Sequence, residues 1–336
     1  MATAAGVVVL VGAMAVAPNV LGSAYWFTIF TTVVINVLLA SSLRTMFLIG
    51  RISLGHVGFM LVGAYTSALL SIHAGWPLWG TIPLAALVSA LVGLLVAYPF
   101  LRVAGIYFAI LTLLAAETVR LVAYNWKGVT GGQLGLTGIP GPGSVGVPLI
   151  GTVELGRVTG YYYLALVVVV LSLAVLYALE RSDLGLKWRS IKDAEPLAQA
   201  VGVPVMAYKI ANFVIACFFA GLAGALYAHA QRGLDAEATS RFGALMSMYL
   251  IVYLVVGGEG PFLGPAVGAT LLTVVAQVAG FAQEYQPIVV GTLAILVTVF
   301  MPNGIVGLAS EHWRRVRPPT PRTRTKEAEH AGARSS

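Results

Sequence analysis

Charge is nearly absent from most of this chain, and the stretches that lack it share one length. Ten runs of mostly apolar residues lie at roughly 4–20, 25–43, 53–72, 81–101, 104–124, 161–180, 208–230, 243–257, 264–283 and 287–308. A helix crossing the hydrocarbon of a bilayer needs about 20 such residues. With 58% apolar and 10% charged residues and a mean hydropathy of +0.88, the chain lacks the polar surface of a soluble domain, in which charged residues make up about a quarter. The expected fold is all-α: a polytopic membrane protein of about ten transmembrane helices. The third run is rich in Gly and Ser and the eighth is the shortest. A break or a re-entrant path is tolerated at either wherever its backbone is buried in protein.

The net charge of +7 invites a nucleic-acid reading, and the placement of the charges argues against it. With both termini on the inner side, fifteen of the twenty Lys and Arg fall on inner segments, eight between Arg44 and Lys209 and seven from Arg314 onward. Lys127, Arg157, Arg232 and Arg241 fall outside, and Arg120 lies within a span. Positive-inside bias produces this pattern without a polyanion. The first run carries no Lys or Arg, so it lacks the positive region of a secretory signal and reads as a retained span. Residues 311–336, rich in Arg, Pro and Thr, have the composition of a disordered tail. The single cysteine, Cys217, lies in an apolar run and reads as a small core residue.

Two connections are long. The outer one, 125–160, is crowded with Gly and Pro. The inner one, 181–208, mixes basic and acidic residues and contains Lys192-Asp193-Ala194-Glu195-Pro196-Leu197-Ala198-Gln199-Ala200-Val201-Gly202. Asp193 suits an N-cap, Pro is tolerated in a first turn, and Gly202 supplies a stop. The result is a short helix with Leu197 and Val201 at i, i+4 spacing forming an apolar ridge. Such a ridge packs into something: a partner, its own protein, or lipid headgroups. The residues alone leave these open.

The stretch 191–228 resembles the coupling region of the branched-chain amino-acid (LivM-type) permeases of ATP-binding-cassette importers. The resemblance is carried by Asp193, Glu195, Ala198, Ala200, Gly202, Tyr208, Lys209 and the run Ala220-Gly221-Leu222-Ala223-Gly224-Ala225-Leu226-Tyr227-Ala228. Pro196 and Leu197 stand where the broader importer pattern has two alanines, and Gly202 lies one position late. Ser53-Leu54-Gly55-His56, Tyr107-Phe108-Ala109-Ile110-Leu111-Thr112-Leu113 with Glu117 and Arg120, Thr130-Gly131-Gly132, and Gly257-Gly258-Glu259-Gly260 are similar to further blocks of that family. The resemblance implies a non-catalytic permease subunit without cofactor or metal, spanning residues 1–310 around a coupling loop at 181–208. It implies ATPase subunits docking on Lys192, Asp193, Glu195, Leu197, Ala198, Ala200, Val201, Gly202, Tyr208 and Lys209. It also implies a second permease subunit in a heterodimer, a substrate-binding protein, and residence in a bacterial plasma membrane with both termini cytoplasmic. Branched-chain amino acids are the implied substrate, while urea and short-chain amide permeases share the same fingerprints.

Glu117 and Arg120, at i, i+3, can pair on one helix face, and ionisable groups within a membrane face the bundle interior or a water path. With Thr112 and Tyr107 they form a candidate translocation path; a structural pair near the outer end of the fifth span is the competing reading. His56 reads as a hydrogen-bonded histidine at a helix end. The small-residue steps Ala220-x3-Gly224, Gly224-x3-Ala228 and Gly264-x3-Gly268 read as sites of close helix approach. No Gly-x4-Gly-Lys-Ser/Thr phosphate loop occurs in the chain, so ATP-driven transport requires hydrolysis on another polypeptide. A stand-alone secondary transporter predicts an inverted repeat, and the Gly-rich breaks near 53–63 and 257–268 leave that reading open. A membrane enzyme needs a cluster of His, Asp or Glu near one interface, and the sequence offers no convincing one.

Overall fold

The computed structural model describes residues 12–20, 22–141, 143–147, 151–154, 157–237 and 240–278, with short pieces at 288, 291–292, 295 and 304–307. The start of the first run, most of the tenth, and the tail at 311–336 lie outside the described residues.

Apolar runs too long for turns become helices whose length matches the bilayer, even where one carries Pro83 and Pro99. Residues 12–20 are helical (α1). Among the described residues, six helices are long and apolar enough to cross a membrane: α2 (Ala24–Phe47), α3 (His56–His73), α4 (Leu78–Leu101), α5 (Ile106–Asn125), α7 (Val158–Arg181) and α9 (Val205–Gln231). A single turn, α6 (Lys127–Thr130), follows α5, and α8 (Asp183–Ala200) follows α7. The third expected run is one continuous 18-residue helix, with the run's first residues, 53–55, left outside it. The eighth and ninth become α10 (Ala244–Gly257) and α11 (Gly264–Val278), of 14 and 15 residues. At 1.5 Å per residue α10 extends only ~21 Å, short of a ~30 Å hydrocarbon core.

The helices are sorted by what they bury. From Ile29 to Phe47, α2 is buried on every side, as expected of a helix that is apolar all round. It packs against α7, α9 and α11, and Asn36 Nδ2 donates to Thr273 Oγ1 of α11 at 3.0 Å. The other buried helix, α9, is lined with small residues from Ala216 to Ala228. These let α3 and α4 come to backbone distance: a Cβ at Gly224 would collide with the Met60 carbonyl of α3. The Ser89 hydroxyl of α4 lies 3.0 Å from the Phe59 carbonyl and 2.9 Å from that of Cys217, stitching three helices together. Cys217 is fully buried there. By contrast, α4, α5 and α7 leave rows of large apolar side chains exposed, among them Leu87, Leu91 and Leu95, Ile110 and Leu114, and Val167 and Leu171.

The bundle has two distinct ends. At one, the C-termini of α2 and α7, the N-terminus of α9, the α10–α11 link and α8 converge. At the other, β1 (Leu136–Thr137) pairs antiparallel with β4 (Gly233–Leu234), laying the loop after α6 across the end of α9. A second antiparallel pair, β2 (Ser144–Val147) with β3 (Gly151–Glu154), lies between α6 and α7 in the chain. Gly224→Val should therefore lower the thermal stability of the detergent-purified protein by about 2 kcal/mol through overpacking. Gly128→Ala, where a Cβ meets nothing within 4 Å, should leave the melting temperature unchanged in the same thermal-shift assay.

Candidate functional site

The inner loop is more structured than its sequence suggests. The short helix was expected to begin at Asp193; instead helical structure begins at Asp183 and breaks at Ala194, whose φ of −154° and ψ of 83° are extended. Pro196 accounts for the break: it has no N–H to return to the Lys192 carbonyl. The first piece of α8 buries Trp188 and Ile191. Trp188 Nε1 donates to the Tyr208 carbonyl at 3.1 Å, and Lys187 Nζ donates to Tyr208 Oη at 2.7 Å. That hydrogen bond raises the Lys187 ammonium above its ordinary pKa.

The second piece runs from Glu195 to Ala200 and stops where the sequence predicted. Gly202 takes φ +84°, its N–H donates to the Gln199 carbonyl at 2.9 Å, and the Val203 N–H reaches the Ala198 carbonyl at 3.1 Å. This is a Schellman stop, completed by Val203 packing near buried Ala198. Glu195 forms an ion pair with Lys209 of α9 at 2.6 Å, giving a nearly fully buried ammonium its counter-charge. With its ends thus fixed, the piece holds Leu197 at 65% and Val201 at 72% exposure. Lys192, Asp193, Ala200 and Gly202 are exposed beside them, and Tyr208 is half-buried. The apolar ridge expected from i, i+4 spacing therefore exists, and nothing among the described residues covers it.

Beneath α8 lies a charge network that the sequence did not reveal. Glu180 of α7 accepts from Arg44 of α2 at 2.5 and 3.0 Å and from Arg189 of α8 at 2.7 Å. Arg44 and Glu180 each read as an isolated charge at the end of an apolar run, 136 residues apart, so no local pattern connects them.

The four residues of the candidate path are not gathered at one point. Glu117 accepts from Arg120 Nε at 2.9 Å, and Arg120 Nη1 donates to the Ala236 carbonyl at 2.6 Å. Arg120 is buried and Glu117 is 34% exposed. Glu117 sits about 12 Å from the Asn125 end of α5, by helical rise. Thr112 is instead occupied structurally: its hydroxyl accepts from the Leu54 N–H at 3.2 Å and donates to the Ala109 carbonyl at 2.9 Å. Tyr107, ten residues before Glu117, is exposed near the opposite end of the helix.

Two histidines act as struts. The Ser42 hydroxyl donates to the Leu39 carbonyl at 2.8 Å and accepts from His56 Nε2 at 2.7 Å, in line with the helix-end reading. His229, not singled out in the sequence, donates from Nδ1 to the Pro140 carbonyl at 3.2 Å and accepts from Ser67 at 2.9 Å. It thereby anchors the Gly-rich outer loop onto α9 and α3.

The family model described as branched-chain amino acid transport system, permease component, matches residues 1–298. The high-affinity branched-chain amino acid transport system permease protein LivM of Salmonella typhimurium is 34% identical over 274 residues, covering 76% of this chain and 64% of that protein. Its Escherichia coli counterpart is 33% identical over the same shares. The guanosine transporter permease protein NupQ of Bacillus subtilis is 26% identical over 204 residues, covering 53% of this chain and 59% of that one. The chain thus spans less than two thirds of the length of these relatives. No solved structure matches it.

The Glu195–Lys209 pair gives a direct test of how the second piece of α8 is held. Glu195→Ala should lower the thermal midpoint by the equivalent of about 2 kcal/mol, because it removes the charge-assisted hydrogen bond of a buried ammonium whose partner is itself part-exposed. Adding Lys209→Met should recover most of that loss in the same thermal-shift measurement.

Proposed function

We propose, for a chain that belongs to the branched-chain amino acid transport permease family, the role of membrane subunit in an ATP-driven importer of branched-chain amino acids. The observation that carries this reading is the ridge of Leu197 and Val201. Two large apolar side chains stand in the open on a helical turn fixed by a glycine stop on one side and an ion pair on the other. Rigid, exposed apolar anchors are what a partner's groove takes up, at a low cost in ordering. The partner in this reading is an ATPase subunit, which supplies the hydrolysis for which this chain has no phosphate loop.

A substrate-binding protein delivers the amino acid at the opposite end, and a second permease subunit completes the membrane domain as a heterodimer. Alternating access follows when ATPase and binding protein each favour one of two conformations. The α8 end then faces the cytoplasm of a bacterium, with both termini on that side, in keeping with the basic residues gathered there.

The exposed side of α5 supplies the path. A half-exposed carboxylate at the depth of Glu117 is costly against lipid and favourable against water. Its partner Arg120 gives the pair one group of each sign, suited to a zwitterionic amino acid. Tyr107 lines the approach from the inner end, and Thr112 holds the helix in place behind them.

Two experiments test this. Gly202→Asp, which strains a positive φ and puts a charge at the ridge, should abolish co-purification with the ATPase while the chain still inserts in the membrane; a variant that kept its ATPase would remove the docking assignment. Glu117→Gln should reduce leucine uptake by the reconstituted transporter at least tenfold, the scale of one lost charge-assisted contact, with ATPase binding unaffected. Uptake at the wild-type rate would take Glu117 out of the path.

A further inference from the structure

The buried Arg44–Glu180 pair is complete without Arg189, yet Arg189 is attached to it. Arg44 already engages both oxygens of the carboxylate, and the side chains of Arg44 and Glu180 are only 4% and 9% exposed. Arg189 reaches in from α8 with half its side chain in solvent and contacts the same Oε1 that Arg44 uses. A second cation on one carboxylate adds little to a pair that is already bidentate. It does add a mechanical link between α8 and whatever Arg44 holds.

What Arg44 holds is the α10–α11 hairpin. Arg44 Nη2 donates to the Gly260 carbonyl in the α10–α11 link at 2.9 Å. Its guanidinium lies 5.7 Å from the centre of the Phe262 ring, which packs edge-on against Tyr177 of α7 at 5.0 Å. The link, residues 258–263, places Gly258 and Gly260 beside Glu259, Pro261 and Phe262, and Gly258 takes φ +103°. The hairpin it joins is made of two apolar helices each shorter than a full membrane span, with Gly257 and Gly264 at backbone contact. A short, closely packed hairpin on a glycine link is the kind of element that tilts as a unit. Arg44 Nε is buried without a partner among the described residues, so the network holds a spare donor for a second arrangement.

Both pieces of α8 rest on α9, but only the first has a second tie, to α7 and α2. Beyond the break at Ala194, the docking piece is fixed to α9 through Lys209. Before it, Trp188 also leans on α9, whereas Arg189 leads through Glu180 and Arg44 to the hairpin. We propose that Glu180 and Arg189 are positioning residues for coupling, through which displacement of α8 by a docked ATPase is carried to the α10–α11 hairpin. The inference rests on the docking role proposed above. It adds a route and a moving element, a discrete charge network between two packed arrangements.

The test uses the complete transporter, with this chain, its ATPase, the second permease and the binding protein reconstituted in proteoliposomes, and radiolabelled leucine as the probe. Glu180→Gln risks misfolding because it strands buried Arg44, so the informative variant is Arg189→Ala, which cuts only the half-exposed leg. It should co-purify with the ATPase and hydrolyse ATP as the wild type does, while leucine uptake per ATP falls about tenfold, within the usual range of coupling between sites. Arg189→Lys should restore most of the uptake, a rescue that a purely structural role would not require. Unchanged uptake per ATP in Arg189→Ala overturns the joint and leaves the docking assignment standing. Loss of the ATPase from Arg189→Ala also overturns it, because Arg189 would then be part of the docking surface.

Discussion

A charge held in an apolar bundle must bring its counter-charge with it, because no water is present to solvate it and an unpaired ion costs several kcal/mol. That constraint decides where the few charges of this chain can sit and what each one connects. Arg44, Arg120 and Lys209 are all buried, and each finds a carboxylate: Glu180, Glu117 and Glu195. Two of the pairs span long stretches of sequence or separate elements, so satisfying the charge also fixes tertiary structure. Arg44–Glu180 brings the ends of α2 and α7 together, and Lys209–Glu195 holds the last turns of α8 against α9. The third pair is local to α5, and its free bond goes to the Ala236 carbonyl, which ties α5 to the segment after β4.

Packing supplies what the charges do not. The hydrophobic effect gives little drive between helices once they are in lipid, so close approach depends on small residues. The small-residue stripe of α9 meets α3 and α4 at backbone distance, which leaves α4, α5 and α7 as the faces turned outward. On most of that outward surface the side chains are aliphatic and suited to lipid. Glu117 is the exception, and the apolar ridge on α8 is the complementary exception at the end of the bundle. Each exception is a side chain in the wrong solvent for a lone subunit in a membrane, and the proposed place in a multi-subunit transporter accounts for both.

Much of the fold was legible because a bilayer-length apolar run is the strongest local signal a sequence carries. The seventh run, expected at 208–230, is the helix Val205–Gln231, and the fourth, at 81–101, is Leu78–Leu101. The stop at Gly202 and the ridge of Leu197 and Val201 also followed from local chemistry. The longer extent of α8 was written in Leu184, Trp188 and Ile191 at i, i+4, i+7, but the charges between them masked the period. Thr112 was legible only as a member of a family block; the bond its hydroxyl accepts from the Leu54 N–H, just before α3, had no local signal. The Arg44–Glu180–Arg189 network had no local signal at all, since its members are brought together only when three helix ends converge.

In the proposed role, this chain moves substrate only as part of an assembly, with the energy entering through α8. The most direct measurement is ATP-dependent leucine uptake into proteoliposomes that hold this chain either alone or with its ATPase, second permease and binding protein. The complete set should take up leucine in an ATP-dependent way, and the chain by itself should take up none. Concentrative uptake by the chain alone would contradict that role and return the protein to the class of stand-alone transporters.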